Sequence, residues 1–294
     1  MRFNFLRYKN IYFIFSGILI IGSFACLIIF GLNPGIDFTG GSILEVTYLE
    51  ERPSNQEIKE SVSDLDLGTI YIQPTEEKGV IIRMKDISEE THQEVIQRLG
   101  NIEEGRFELI GPTIGEELKQ KTKILIVLAL ISIVLYIAFS FRRIHRPIPS
   151  WQYGIVSLIA LFHDILIPVG VFSVLGNFYG IQITIPVVAA LLTVLGYSIN
   201  NTVVVFDRMR ENLIKGREVT FEETVNNSLN QTFARCINTS LTTLLVLFAI
   251  FFFGGLTLKY FALALIIGIV AGTYSSLFLA GPLLVSWLNL RRRV

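Results

Sequence analysis

Asp164 is a carboxylate inside an otherwise apolar run, about residues 152–175. It follows Trp151 by 13 residues, or about 20 Å along a helix. That depth is near the middle of a bilayer, where a charge costs about 2.5–3.5 kcal/mol on insertion scales. A carboxylate kept at such a cost serves an ion relay or a hydrogen bond to a neighbouring helix, and the residues leave both open. His163 precedes it and is expected to point elsewhere, because adjacent helical residues do not share a face. The next apolar run carries Ser198, Asn200, Asn201 and Thr202, followed by Asp207 about 10 Å further along the helix. Arg235 opens a later run that holds Asn238, Thr239, Ser240, Thr242 and Thr243. Arg235 either snorkels to the interface or pairs with the earlier polar group, while the hydroxyls and amides suit interhelical hydrogen bonding. Cys26 and Cys236 sit singly in or beside apolar runs and read as inert thiols, with no metal site. No Walker A, G-x-S-x-G or H-E-x-x-H string is present. The residues therefore point to no enzyme and no cofactor, and any transport must draw on an ion gradient or a partner ATPase.

The elements that must position these groups follow from composition. The 294 residues are 51% hydrophobic and 17% charged, against about 25% charged in soluble domains; the mean hydropathy is +0.56. An ordinary soluble enzyme and a disordered chain are both excluded. Six stretches are long enough to span a bilayer, which takes about 20 residues: about 11–32, 122–141, 152–175, 183–206, 236–254 and 259–288. The first is too long for the apolar core of a signal peptide and reads as an uncleaved helix. Arg2, Arg7, Lys9, Arg142, Arg143, Arg146, Arg208, Arg210, Lys215, Arg217, Arg235 and Arg291–Arg293 all fall on one side if the spans alternate. By the positive-inside rule both termini are cytoplasmic.

The formal charge of zero hides an asymmetry. Residues 34–123 hold 19 acidic and 10 basic side chains, and the remainder holds 6 and 15. A zero sum argues against nucleic acid as a partner, and its distribution describes an acidic external domain and a basic inner face. The chain thus divides into 1–33 (N-terminus and first span), 34–121 (external domain) and 122–294 (five spans). The external segment reads as strand 42–49, helix 54–66, strands 69–73 and 79–84, helix 88–99 and a strand near 105–110. Gly79 and Gly105 are expected at turns and Ser54 and Ser88 at helix N-caps. The order βαββαβ is that of a ferredoxin-like domain. The fold class is therefore a polytopic α-helical membrane protein with six transmembrane helices and one small α+β domain between helices 1 and 2. Residues 211–234, with Val219, Phe221, Val225, Leu229 and Phe233 on one face, are expected to form an amphipathic helix along the cytoplasmic surface.

Longer strings add a resemblance. Asn33-Pro34-Gly35-Ile36-Asp37-Phe38-Thr39-Gly40-Gly41 reads as a turn from its residue types, and it also resembles the G-I-D-F-T-G-G signature of the SecD/SecF family of bacterial protein-export subunits. Residues 196–212, GYSINNTVVVFDRMREN, are similar to that family's G-Y-S-x-N-D-T-V-V-V-F-D-R-x-R-E-N. Residues 235–243, RCINTSLTT, match its R-x-I-N-T-S-L-T-T. Phe162-His163-Asp164 and Gly272-Thr273-Tyr274-Ser275-Ser276 also match.

The resemblance implies a six-span half of a resistance–nodulation–division (RND) superfamily transporter in the bacterial inner membrane. It implies partnership with SecD beside the SecYEG translocon, with YajC and YidC as further partners, and an unfolded preprotein and membrane lipid as the other contacts. It implies late-stage translocation driven by the proton motive force. Alternatives are half of a small-molecule or lipid exporter and an uncoupled assembly scaffold. One position departs from the family: Asn201 stands where the family carries Asp, the group it sets opposite the Arg at position 235. An amide has no titratable proton. Either the relay has moved, or another ion is used, or the chain is uncoupled. The relay candidates are Asp164, Asn201, Arg235, Asp207 and His163. Ser198, Asn200, Thr202, Asn238 and Thr239 are polar support, and Asp37, Gly40 and Gly41 form the external motif.

Overall fold

The computed structural model describes residues 3–75, 77–141, 148–216 and 220–291. Arg2, Arg142, Arg143, Arg146, Arg217, Val219, Arg292 and Arg293, which entered the topology and surface-helix expectations, lie outside the described residues. The chain divides into two compact units.

One unit comprises Leu32–Leu125 and Leu175–Ile185. Beyond the end of α1 (Lys9–Phe30), it contains the single-turn helix α2 (Ile36–Thr39), β1 (Gly41–Tyr48), α3 (Asn55–Ser61), β2 (Tyr71–Thr75), β3 (Gly79–Met84), α4 (Glu89–Leu99) and β4 (Ile102–Ile110). The strands form one antiparallel sheet in the order β2-β3-β1-β4. This is the ferredoxin-like arrangement that the βαββαβ order implies. Leu44, Val46 and Tyr48 of β1 alternate with less buried residues, whereas β3, which carries Val80, Ile82 and Met84, is buried along its whole length. They pack with Ile58, Val62, Val95 and Leu99 into the core of this domain. Gly105 is not at a turn. It lies within β4, opposite the register shift between Glu45 and Val46, where a residue without Cβ accommodates a bulge.

α3 starts where its cap dictates. Ser54 Oγ accepts from Glu57 N at 3.3 Å, and the Glu57 carboxylate accepts from Ser54 N at 2.8 Å. The Ser54 backbone N–H, and then its side chain, holds the Glu57 carboxyl below its usual range. A depressed folded-state value means the contribution is complete above the ordinary glutamate pKa and is lost as the pH falls through the folded-state value. Fraying of α3 is therefore an acid-side event. Ser54→Ala is expected to cost about 1 kcal/mol locally, read as faster amide exchange confined to α3 after correction for intrinsic pH dependence.

The second unit comprises Met1–Gly31, Ile126–Val174 and Pro186–Val294. It holds α1, α5 (Pro112–Phe141) from Ile126, α6 (Ser150–Tyr179) up to Val174, α7 (Ile185–Lys215) from Pro186, α8 (Phe221–Phe253) and a rod built from α9 (Leu256–Tyr274), a π-helical stretch (Ser275–Ala280) and α10 (Gly281–Arg291). Among the described residues six helical segments are long and apolar enough to cross a membrane. α6 and the α9–α10 rod are the most buried, while α1 and α5 are almost wholly exposed and present apolar faces suited to lipid.

The expected surface helix over 211–234 is not a separate element. Residues 211–215 finish α7, and α8 runs unbroken from Phe221 to Phe253. A capping box at Thr220 and Glu223 fixes where α8 begins, and no Gly or Pro interrupts it before Gly254. Phe221, Val225 and Leu229 face inward and join Phe206, Met209 and Leu284 in the bundle core.

The chain's start is also tied to α8. Phe3 N donates to Asn230 Oδ1 and Asn230 Nδ2 donates to Phe3 O, while Phe5 N donates to Asn226 Oδ1. Phe5 itself is buried.

Candidate functional site

Asp164 and His163 of α6 are both 0% exposed. A buried carboxylate is tolerated only when its oxygens are satisfied, and three groups do this here. His163 Nδ1 lies 2.8 Å from Oδ1. Ser275 Oγ donates to Oδ2 at 2.7 Å, and Ser198 Oγ donates to the same oxygen. Donors thus come from α7 and from the π-helical stretch as well as from α6. The expectation that His163 points away is overturned. The Cβ directions of adjacent residues diverge, but with water excluded the two polar ends gain more by bending together than by remaining apart.

Local backbone features build this pocket. Pro168 stands four residues after Asp164 within α6 and withholds the N–H that would otherwise bond the Asp164 carbonyl. The π-helical turn starts at Ser275, and such widened turns recur at functional sites. Gly268 and Gly272 let α9 approach α7. A Cβ on Gly268 would stand 2.3 Å from Val194 Cγ2, and one on Gly272 would stand 3.0 Å from Ser198 Cβ and 3.4 Å from Asp164 Oδ2. This is close packing of the G-x-x-x-G kind.

The α7 polar group divides. Ser198, Asn201 and Thr202 are buried, whereas Asn200 and Asp207 are exposed. Thr202 Oγ1 and Ser276 Oγ are 2.9 Å apart. Asn201 Nδ2 donates to Ser240 Oγ at 3.4 Å, and Ser240 Oγ lies 2.6 Å from Thr273 Oγ1. Asn201 is therefore the inner edge of a neutral hydroxyl layer. Arg235, Asn238 and Thr239 of α8 are exposed. Among the described residues Arg235 makes no side-chain hydrogen bond or ion pair, to Asn201 or to any other group. It borders an open cavity of about 860 Å³ with Tyr136, Asp207, Arg208, Arg210 and Glu211. There Arg208 pairs with Glu211 and donates to Gln231 at 2.6 Å, and Arg210 lies 3.6 Å from Asp207.

Sequence reasoning placed Thr273, Tyr274, Ser275 and Ser276 in a string that matches the family, but none of them at Asp164. Hydroxyls in apolar runs were the available signal, but which of them meets Asp164 depends on which helices are neighbours. Cys26 and Cys236 are free thiols, Cys236 buried.

In the other unit, Asp37 Oδ2 accepts the backbone N–H of Ile185, the first residue of α7, at 2.9 Å. The adjoining chain pairs with residue 183. Gly35 N donates to Ile183 O at 2.8 Å, and Ile183 N donates to Asn33 O at 2.7 Å. Gly40 and Gly41 have φ of 73° and 136°, and a Cβ on Gly41 would lie 2.6 Å from Met84 O. The motif read as a turn also places Asp37 as a cap on the backbone N–H of Ile185, from a distance in sequence and within the same unit. Asp37→Ala is expected to cost about 1 kcal/mol and speed exchange of the Ile185 amide about fivefold, while Asp37→Asn, which keeps an acceptor, preserves protection.

The description "Protein export membrane protein SecD/SecF, C-terminal" matches residues 90–290, and the SecD/SecF GG motif matches residues 27–48. The chain belongs to the SecD/SecF family. A protein translocase subunit SecF from Thermobaculum terrenum is 40% identical over 97% of this chain and 93% of that protein. One from Anaerolinea thermophila is 36% identical over 97% and 94%. The crystal structure of SecDF, a translocon-associated membrane protein from Thermus thermophilus, superposes with a TM-score of 0.86 at 34% identity. It covers 98% of this chain, which spans 39% of that longer one. The GG motif match thus includes Asp37, and the C-terminal region match contains the Asp164 cluster.

Proposed function

We propose that this chain is the SecF-type half of a protein-export accessory complex, pairing with SecD to couple an ion gradient to late translocation of preproteins. The observation that carries the coupling is the Asp164 cluster: a carboxyl group sealed in an apolar bundle and held by donors from three helical segments. Moving one charge through 100 mV supplies about 2.3 kcal/mol, so a few ions per cycle suffice to shift a bistable element. The reading takes both termini as cytoplasmic and residues 34–121 as external, where they hold emerging polypeptide. It takes SecYEG, and YajC and YidC beside it, as neighbours. No bond is made or broken in the substrate, so the role is not enzymatic.

The SecD surface is inferred from small and polar residues exposed on α7 and α8. Ala189, Thr193, Gly196 and Asn200 are exposed at three- and four-residue spacing along α7, and Arg235, Asn238, Thr239 and Thr242 are exposed on α8. Small and polar residues on neighbouring helices suit a packed helix interface, and in the SecDF relative a single chain carries more than twice this length.

The test is a strain lacking the gene. Slowed export of preproteins, restored by the wild-type chain only while the ion gradient stands, is the expected result; normal export without the gene overturns the reading. Asn201 favours a second reading, an uncoupled scaffold, whose signature is restoration that persists after the gradient is collapsed. Retained export with raised drug sensitivity on deletion would instead mark half of a small-molecule or lipid exporter.

A further inference from the structure

We infer that Nε2 of His163 is the atom at which a proton enters and leaves the Asp164 cluster. The inference rests on the reading that Asp164 couples the gradient and specifies the port.

The polar atoms of the cluster are nearly all engaged. Asp164 Oδ1 faces His163 Nδ1, and Oδ2 holds the hydroxyls of Ser198 and Ser275. His163 Nε2 is the exception, fully buried and without a hydrogen-bond partner among the described residues. A buried imidazole nitrogen left open is costly, and its lone pair can accept a further proton without breaking an existing bond.

The neighbours keep the ring in place. Its face lies against the Tyr274 ring of α9, with centroids 6.0 Å apart and planes inclined at 27°. Tyr274 is held in turn on α1, donating to Tyr12 O at 3.1 Å and accepting from Ser16 Oγ at 3.4 Å. The titratable groups near His163 are thus Asp164 on its own helix, Tyr274 on α9 and, behind Tyr274, Tyr12 on α1. α7 contributes the neutral Ser198.

The step balances simply. Hydronium gives its proton to the Nε2 lone pair and leaves as water; Nδ1–H continues to donate to Asp164, and the product is an imidazolium–carboxylate pair with no net charge. Release returns the proton from Nε2 to water and leaves a neutral imidazole beside a carboxylate, a buried single charge. The sealed arrangement suits the paired state, and the single charge favours an opened, hydrated one. Protonation is thereby linked to which conformation is populated. Both steps require water to reach Nε2 in some state of the cycle.

Two measurements on the full chain in its native membrane test this. Gradient-driven export is followed across external pH for wild type, His163→Gln and Asp164→Asn, with membrane abundance as a control. Gln retains an N–H donor for Asp164 but does not titrate. His163→Gln is expected to reach normal abundance, lose most of the gradient response and lose its pH dependence. A wild-type pH profile in His163→Gln, with Asp164→Asn inactive, overturns the port and leaves the coupling reading standing. An intact response in Asp164→Asn removes both. The second measurement needs no variant: wild-type membranes are treated with diethyl pyrocarbonate with and without an imposed gradient, and modification of His163 is read by mass spectrometry. Gradient-dependent modification is expected. No modification in either state overturns the port, since a proton site must meet water.

Discussion

Asp164→Asn is expected to reduce export to the level of a strain lacking the gene, while the protein accumulates normally in the membrane. Asn keeps an acceptor oxygen, and the Ser198 and Ser275 hydroxyls are free to turn about their Cβ–Oγ bonds, so the packing of α6 against α7 and the π-helical stretch survives. What is lost is the carboxylate and its negative charge beside His163. Asn201→Asp, tested in parallel, is expected to give no gain. The nearest partner of Asn201 is the neutral Ser240 hydroxyl at 3.4 Å, and among the described residues no cation pairs with that position. A carboxylate there is an uncompensated buried charge, and leaving such a charge unpaired is strongly destabilising. A gradient-coupled export assay decides between the two sites. If Asn201→Asp raises the response and Asp164→Asn has no effect, the relay lies on α7 and the assignment to α6 is wrong.

Gly268→Ala is expected to destabilise the bundle by about 1–3 kcal/mol, the range for overpacking a close-packed interior. The added methyl would stand 2.3 and 2.6 Å from the two γ-carbons of Val194 and 3.0 Å from its Cβ. Val on a helix has essentially one χ1 rotamer, so the side chain has little room to turn away and α9 must move off α7. Gly272→Ala meets Ser198 at 3.0–3.2 Å and is expected to cost less in stability but more in function, because the displaced group is a donor to Asp164. Thermal unfolding in detergent ranks the stabilities, and gradient-coupled export ranks the functions. Equal melting temperatures for Gly268→Ala and wild type would show that the α7–α9 contact is looser than its geometry indicates.

Much of the fold was legible because its signals are local and repeated. Span-length apolar runs, short strands near 42–49 and 79–84, and Ser-initiated helices at 55 and 89 each depend on a few successive residues, and all reappear in the structure. The errors fall where local signals compete with context. Gly105 looked like a turn and is a bulge, because β4 continues through it to pair with β1. Residues 211–234 looked amphipathic, and Phe221, Val225 and Leu229 are buried, but the pattern does not say whether the helix ends at the interface or continues into a span.

The candidate site was legible only in part, for a related reason. Sequence alone determined that one carboxylate is buried in an apolar helix, that position 201 has no proton to exchange, and which family the motifs resemble. These follow from residue type and from position along a single element. Only the tertiary structure decided that His163 turns toward Asp164, that Ser198 and Ser275 complete its shell, that Asn201 belongs to a separate hydroxyl layer, and that Asp37 caps α7 from 148 residues away. Each of these is a contact between side chains or segments whose spacing in sequence carries no information. They arise because a buried polar group must find a partner wherever packing brings one, and packing is set by the small residues at helix crossings, not by the order of residues along the chain.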